Sequence, residues 1–67
     1  MWYLVVNQKS ERYFIKTKVV DIVYLVKEST DRVEEKSIEE LRGSGFIIVG
    51  ECFSSEIEKL DKLIVID

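Results

Sequence analysis

Cys52 is the only cysteine of the chain and its strongest candidate for nucleophilic chemistry. The chain contains no histidine, so its side chains supply neither a Cys–His nucleophilic pair nor a tetrahedral zinc site. No basic residue lies near Cys52 in the sequence, and the adjacent Glu51 disfavours a thiolate. Strand alternation places Cys52 on the same side as Phe46 and Ile48, as a small buried residue. We therefore predict no catalytic residue, no metal site and no cofactor, and a protein that is not an enzyme.

A dense acidic cluster follows the middle of the chain. Its members are Glu34, Glu35, Glu39 and Glu40. Their spacing lacks the alternating ligands and the glycine turn of a calcium loop, so cation binding is disfavoured. A solvated strand and helix surface explains them, and such a surface also attracts a basic protein partner. We predict these four glutamates as the protein-binding surface.

Basic residues concentrate in the first part of the chain. Residues 1–27 carry five basic and two acidic side chains, whereas residues 28–67 carry five basic and eleven acidic ones. Aromatic residues are interleaved with this basic group, a combination typical of single-strand nucleic-acid binders. The overall charge of −3 is opposite to that expected of such a protein. Nucleic-acid binding is therefore the alternative hypothesis, with four candidate residues: Lys9, Arg12, Lys16 and Lys18.

The composition limits the class of protein. A chain of 67 residues with 46% hydrophobic residues and no proline predicts one small folded domain spanning residues 1–67. Its apolar runs are shorter than the roughly 20 residues that a membrane-spanning helix needs, so no membrane partner is expected. A single cysteine forms no internal disulfide, and no signal peptide is evident, which favours a cytoplasmic location.

An internal repeat predicts two β-hairpins. The triplet beginning at Tyr3 (Tyr-Leu-Val) recurs at Tyr24, and each copy precedes a hydroxyl-acid-Arg element and then a Lys-hydroxyl pair. Residues 2–6 and 12–16 are the predicted strands of the first hairpin, joined by a polar loop. In the second copy, residues 19–28 read either as a helix or as a strand. Their β-branched residues and the repeat favour a strand, with residues 32–36 as its polar partner.

The remaining sequence predicts two short helices and two strands. Ser37 with Glu40 forms a capping box that begins a helix, and Gly43 is predicted to end it in the left-handed conformation. Residues 46–49 form a strand with a bend or bulge at Gly50. A second capping box beginning at Ser55 precedes a helix whose Ile57 and Leu60 face inward. Residues 63–66 are predicted as a buried final strand. The fold class is α+β, mainly an antiparallel sheet, in the order β-β-β-β-α-β-α-β.

These patterns favour a small cytosolic protein-interaction module over an enzyme. We expect it to regulate or inhibit another protein by binding it, as accessory proteins of phages, viruses and mobile elements do. An open strand edge, a self-association surface or the acidic cluster would carry the binding. The first alternative is nucleic-acid binding through the first hairpin. The second is a structural homo-oligomer subunit, because so small a domain buries a thin core.

Overall fold

The structure, a computed structural model, describes residues 1–64. The α+β prediction is confirmed, since one five-stranded antiparallel sheet carries two helices. In chain order the elements are β1 (Tyr3–Val6), β2 (Arg12–Val19), β3 (Ile22–Lys27), β4 (Val33–Ser37), α1 (Ile38–Gly43), β5 (Ile47–Glu51) and α2 (Ser54–Leu63). The strands lie in the order β4-β3-β2-β1-β5, so β4 and β5 form the two edges of the sheet.

Both predicted hairpins are present, and β2 also pairs with β3. The first loop needs no glycine because the Asn7 side chain organises it. Its Oδ1 atom accepts hydrogen bonds from the backbone N–H groups of Lys9 at 3.0 Å and Glu11 at 2.9 Å. Such local side-chain bonds replace the backbone partners that a tight turn leaves unsatisfied.

The segment 19–28, for which the sequence allowed either a helix or a strand, contains the strand β3. Residues 22–27 pair with a strand on each side, and Val23 to Val26 are all buried. A strand covered on both faces needs apolar side chains on both, which explains why this stretch lacks a polar face. The two copies of the repeat nevertheless differ in orientation. Leu4 packs in the same cluster as Tyr24, whereas Leu25 lies in the cluster on the opposite face.

Two apolar clusters lie on opposite faces of the sheet. The face covered by α2, here called the α2 face, buries Trp2, Phe14, Tyr24, Val26 and Leu60. The other, here called the α1 face, is smaller and buries Val23, Leu25 and Leu41. The inward orientation predicted for Ile57 and Leu60 is confirmed, since both pack in the α2-face cluster. Helix α1 has only six residues and therefore covers less of its face than α2 does.

The Ser37 cap is confirmed, but the predicted role of Gly43 is wrong. The Ser37 hydroxyl accepts a hydrogen bond from the Glu40 backbone N–H at 3.2 Å. Gly43 is the last residue of α1, and the left-handed residue is Gly45, with φ of +72°. A side chain at Gly45 would also collide with Gln8, since an added Cβ would lie 2.6 Å from its Nε2 atom. The reversal of the chain thus occurs two residues later than predicted.

The predicted bulge in β5 is present, and it changes the position of Cys52. The register against β1 shifts between Ile48 and Gly50, which leaves Val49 as the extra residue. An extra residue reverses the alternation beyond it, so Cys52 packs in the α2-face cluster while Phe46 packs on the α1 face. The prediction that Cys52 shares a side with Phe46 and Ile48 is therefore wrong.

Helix α2 begins earlier and ends later than the sequence indicates. Its N-cap is Phe53, whose backbone N–H donates to Glu56 Oε1 at 3.4 Å, rather than Ser55. Leu63 is the last helical residue, so the predicted strand cannot begin there, and residues 65–67 lie outside the described residues. Within residues 1–64, neither helix has the length and hydrophobicity that crossing a membrane requires.

Candidate protein-interaction surface

The two edges of the sheet have opposite character. Edge strand β4 carries charge at three successive positions, Glu34, Glu35 and Lys36. Charged side chains on an edge oppose pairing with a further strand, because pairing would desolvate them. Edge strand β5 carries one charge, Glu51, at its end. The edge formed by β5 therefore lacks the electrostatic protection that the edge formed by β4 has.

Strand β5 also exposes large apolar side chains. Ile47, Ile48 and Val49 are 70%, 63% and 60% exposed, respectively. Consecutive exposed residues of this size are unusual on a monomer, and they accompany backbone groups on the outer side of β5 that pair with no strand within residues 1–64. The combination offers hydrogen bonds and hydrophobic contact to an added strand. We call Ile47, Ile48 and Val49 with this open edge the β5 edge.

An apolar groove adjoins the β5 edge on the α1 face. It has a volume of about 240 Å³ and is lined by residues of α1, of β5 and of the sheet between them. Val5 and Val23 line it from the sheet, Leu41 from the helix, and Ile48 from the edge. Arg42 is the single charged residue among the described residues that line it. The groove extends the apolar surface of the β5 edge and adds a positive charge beside it.

The sequence indicated an open strand edge as a mode of binding but not which strand forms it. The run from Ile47 to Val49 is apolar at consecutive positions, which is typical of a strand buried on both faces. The sequence feature that pointed to an edge position was the bulge predicted at Gly50, since bulges are frequent at sheet edges. The strand order determines which strand lies at the edge of the sheet, and it depends on pairing between segments far apart in the chain.

The four predicted acidic residues do not share one surface. Glu34 and Glu40 line a groove on the α1 face, whereas Glu35 lies beside Tyr24 on the α2 face, 2.8 Å from Lys18 Nζ. The Oε2 atom of Glu40 also lies 3.8 Å from Lys36 Nζ. Glu39 is exposed in the first turn of α1, where a negative charge favours the helix. Alternation along β4 separates Glu34 from Glu35.

Three of the four predicted basic residues form ion pairs within the chain. Arg12 pairs with Glu28 at 3.3 Å, Lys16 with Asp61 at 3.4 Å and Lys18 with Glu35 at 2.8 Å. Lys9 lies on the exposed first loop. Among the aromatic residues near them, Trp2, Phe14 and Tyr24 are buried, whereas Tyr3 and Tyr13 are half-buried. Buried rings are not accessible for stacking on bases.

Trp2 connects this basic group to α2. Its Nε1 atom donates a hydrogen bond to Asp61 Oδ1 at 2.8 Å, while Lys16 Nζ lies 5.8 Å from the centre of its ring. The hydrogen bond from Trp2 holds the pKa of Asp61 below its ordinary value, and Lys16 lowers it further. The ionised carboxylate therefore helps to hold α2 on the sheet.

This arrangement predicts an acid-sensitive component of stability. A carboxyl group with a lowered pKa stabilises the fold above its unfolded value of 3.8, and this contribution disappears as pH falls through the folded value. We expect the urea midpoint of the wild type to decrease more steeply between about pH 5 and pH 2 than that of Asp61→Asn. The pKa of Glu11 is also lowered, by Lys27 and Asn7. Glu11 is present in both proteins, so its contribution cancels in the comparison. Parallel profiles of the two would contradict the assignment.

The environment of Cys52 does not favour a reactive thiolate. Burial raises its pKa, and the nearby carboxylate of Glu56 raises it further. In the described part of the chain no cluster of three or more potential metal ligands occurs. Comparison of the chain with family models, curated proteins and solved structures gave no match.

Proposed function

We propose that this chain is a non-enzymatic, cytoplasmic protein-interaction module that regulates or inhibits its partner by pairing a strand with the β5 edge. The observation that carries the proposal is the contrast between the two edges of one sheet. Edge strand β4 is charged, and β5 exposes Ile47, Ile48 and Val49. An added strand gains main-chain hydrogen bonds from β5 and contacts with alternate side chains.

Other features support protein binding over the alternatives. The raised pKa of Cys52 argues against nucleophilic catalysis, and its free thiol is compatible with a reducing compartment. The ion pairs of Arg12, Lys16 and Lys18 reduce the positive charge available to phosphates. The exposed carboxylate of Glu39, in the first turn of α1, remains a second route to a basic partner.

Affinity capture from the native host tests the proposal with matched variants. Val49→Lys places a charge on the β5 edge, and Val20→Lys makes the same change at a hairpin turn where the valine is 85% exposed. We expect the wild type and Val20→Lys to capture the same protein. Val49→Lys should capture at least about tenfold less of it, since a buried unpaired charge opposes strand addition. Mass spectrometry identifies and quantifies the captured protein.

The controls separate binding from folding. Val49→Lys and Val20→Lys should give the far-UV circular dichroism and urea midpoint of the wild type, because both substituted valines are exposed. Retention of every partner by Val49→Lys would overturn the proposal. If Glu39→Lys loses the partner while Val49→Lys retains it, the binding is assigned to the exposed Glu39 instead.

A further inference from the structure

We propose that the strand added to β5 is β5 of a second copy of this chain, paired antiparallel about a twofold axis. This inference rests on the proposed function and names its partner. A twofold pairing is isologous, so each copy must present the apolar surface that the other needs. The β5 edge meets this requirement because no strand within residues 1–64 pairs with its outer side and because it exposes a run of apolar side chains.

Charge complementarity across the axis supports a second copy. Within residues 1–64, neither Arg42 nor Glu51 has an ion-pair partner. Glu51 lies opposite Tyr3, and Tyr3 lies opposite Ile15, a residue of the α1-face cluster. Glu51 therefore projects on the same face as the groove that Arg42 lines.

The antiparallel geometry brings these two charges together. Glu51 is at the carboxyl end of β5, and the groove beside Ile48 and Phe46 lies toward its amino end. Antiparallel pairing places the carboxyl end of one strand beside the amino end of the other. Glu51 of each copy thus approaches Arg42 of the other, and the contact occurs twice. The two sheets join into one continuous sheet of ten strands, with the charged β4 strands at its outer edges.

Analytical ultracentrifugation of the full chain tests this inference over about 1 μM to about 1 mM, the range suited to a weak dimer. We expect reversible dimerisation that Val49→Lys weakens at least tenfold and that Val20→Lys leaves unchanged. Arg42→Glu and Glu51→Arg should each weaken it severalfold, because each creates a repulsive pair. The double variant should restore the wild-type dissociation constant within about threefold, because it rebuilds the pair with its charges exchanged.

Three results would overturn the inference. A monomer at every concentration excludes the second copy, and a dimer unaffected by Val49→Lys excludes this edge. A double variant no better than the single ones would refute the Arg42–Glu51 contact and the pairing derived from it. A monomer that still captures another protein through Val49 would leave the proposed function standing. A monomer whose captured proteins are all retained by Val49→Lys would refute both.

Discussion

Replacement of Trp2 by alanine is expected to unfold most of the protein or to lower its free energy of unfolding by about 3–5 kcal/mol. Trp2 is completely buried in the α2-face cluster and is the largest of the fully buried side chains. Its removal leaves a cavity between the sheet and α2 and deprives Asp61 of its hydrogen bond from Nε1. A small domain has little stability in reserve, so a loss of this size is close to its whole margin.

Urea unfolding followed by far-UV circular dichroism measures the effect, because Trp2 is the only tryptophan and its fluorescence is lost in the variant. Phe53→Ala is the matched control, since Phe53 is 77% exposed and its truncation should change stability by less than about 0.5 kcal/mol. Trp2→Phe, which keeps an aromatic ring but loses the donor, should fall between the two. Equal stability of Trp2→Ala and Phe53→Ala would contradict the placement of Trp2 in the core.

The substitution Val26→Asp is expected to prevent folding at neutral pH. Val26 is completely buried in β3, where it lies opposite Phe14 on one side and Val33 on the other. A carboxylate there would be surrounded by apolar side chains, and burying an unpaired charge costs several kcal/mol. The expected result is the loss of dispersed amide signals in a proton–nitrogen correlation spectrum.

Val20→Asp provides the matched control for this prediction. Val20 lies at the turn between β2 and β3 and is 85% exposed, so the same substitution meets water rather than a core. We expect its spectrum to remain dispersed and its urea midpoint to stay close to that of the wild type. If both variants fold, or if both fail to fold, the burial assigned to Val26 is wrong.

Val20 and Val26 show why side-chain burial could not be predicted from the sequence. Both lie in the apolar stretch 19–28, and neither composition nor periodicity separates them. The turn at Asp21, which has a φ of +66°, ends β2 and exposes Val20, while pairing on both sides buries Val26. Side-chain burial in a sheet depends on which strands become neighbours, and this information is distributed over the whole chain.

The candidate surface shows the same division. An open edge was foreseen as a mode of binding, but the four glutamates chosen from the sequence are divided between the two faces of the sheet and α1. Ile47, Ile48 and Val49 resemble a buried strand because exposed and buried apolar runs have the same local pattern. Their exposure follows from the position of β5 at the edge.

The amino-acid sequence alone determined the α+β class, the two hairpins and the Ser37 cap, because these depend on neighbouring residues and on local backbone preferences. Only the tertiary structure decided the strand order, the burial of Trp2 against α2 and the shift of Cys52 to the other face by the bulge at Val49. Each of these results depends on contacts between residues far apart in the chain. Local propensity does not encode such contacts, and one inserted residue reverses every face assignment beyond it.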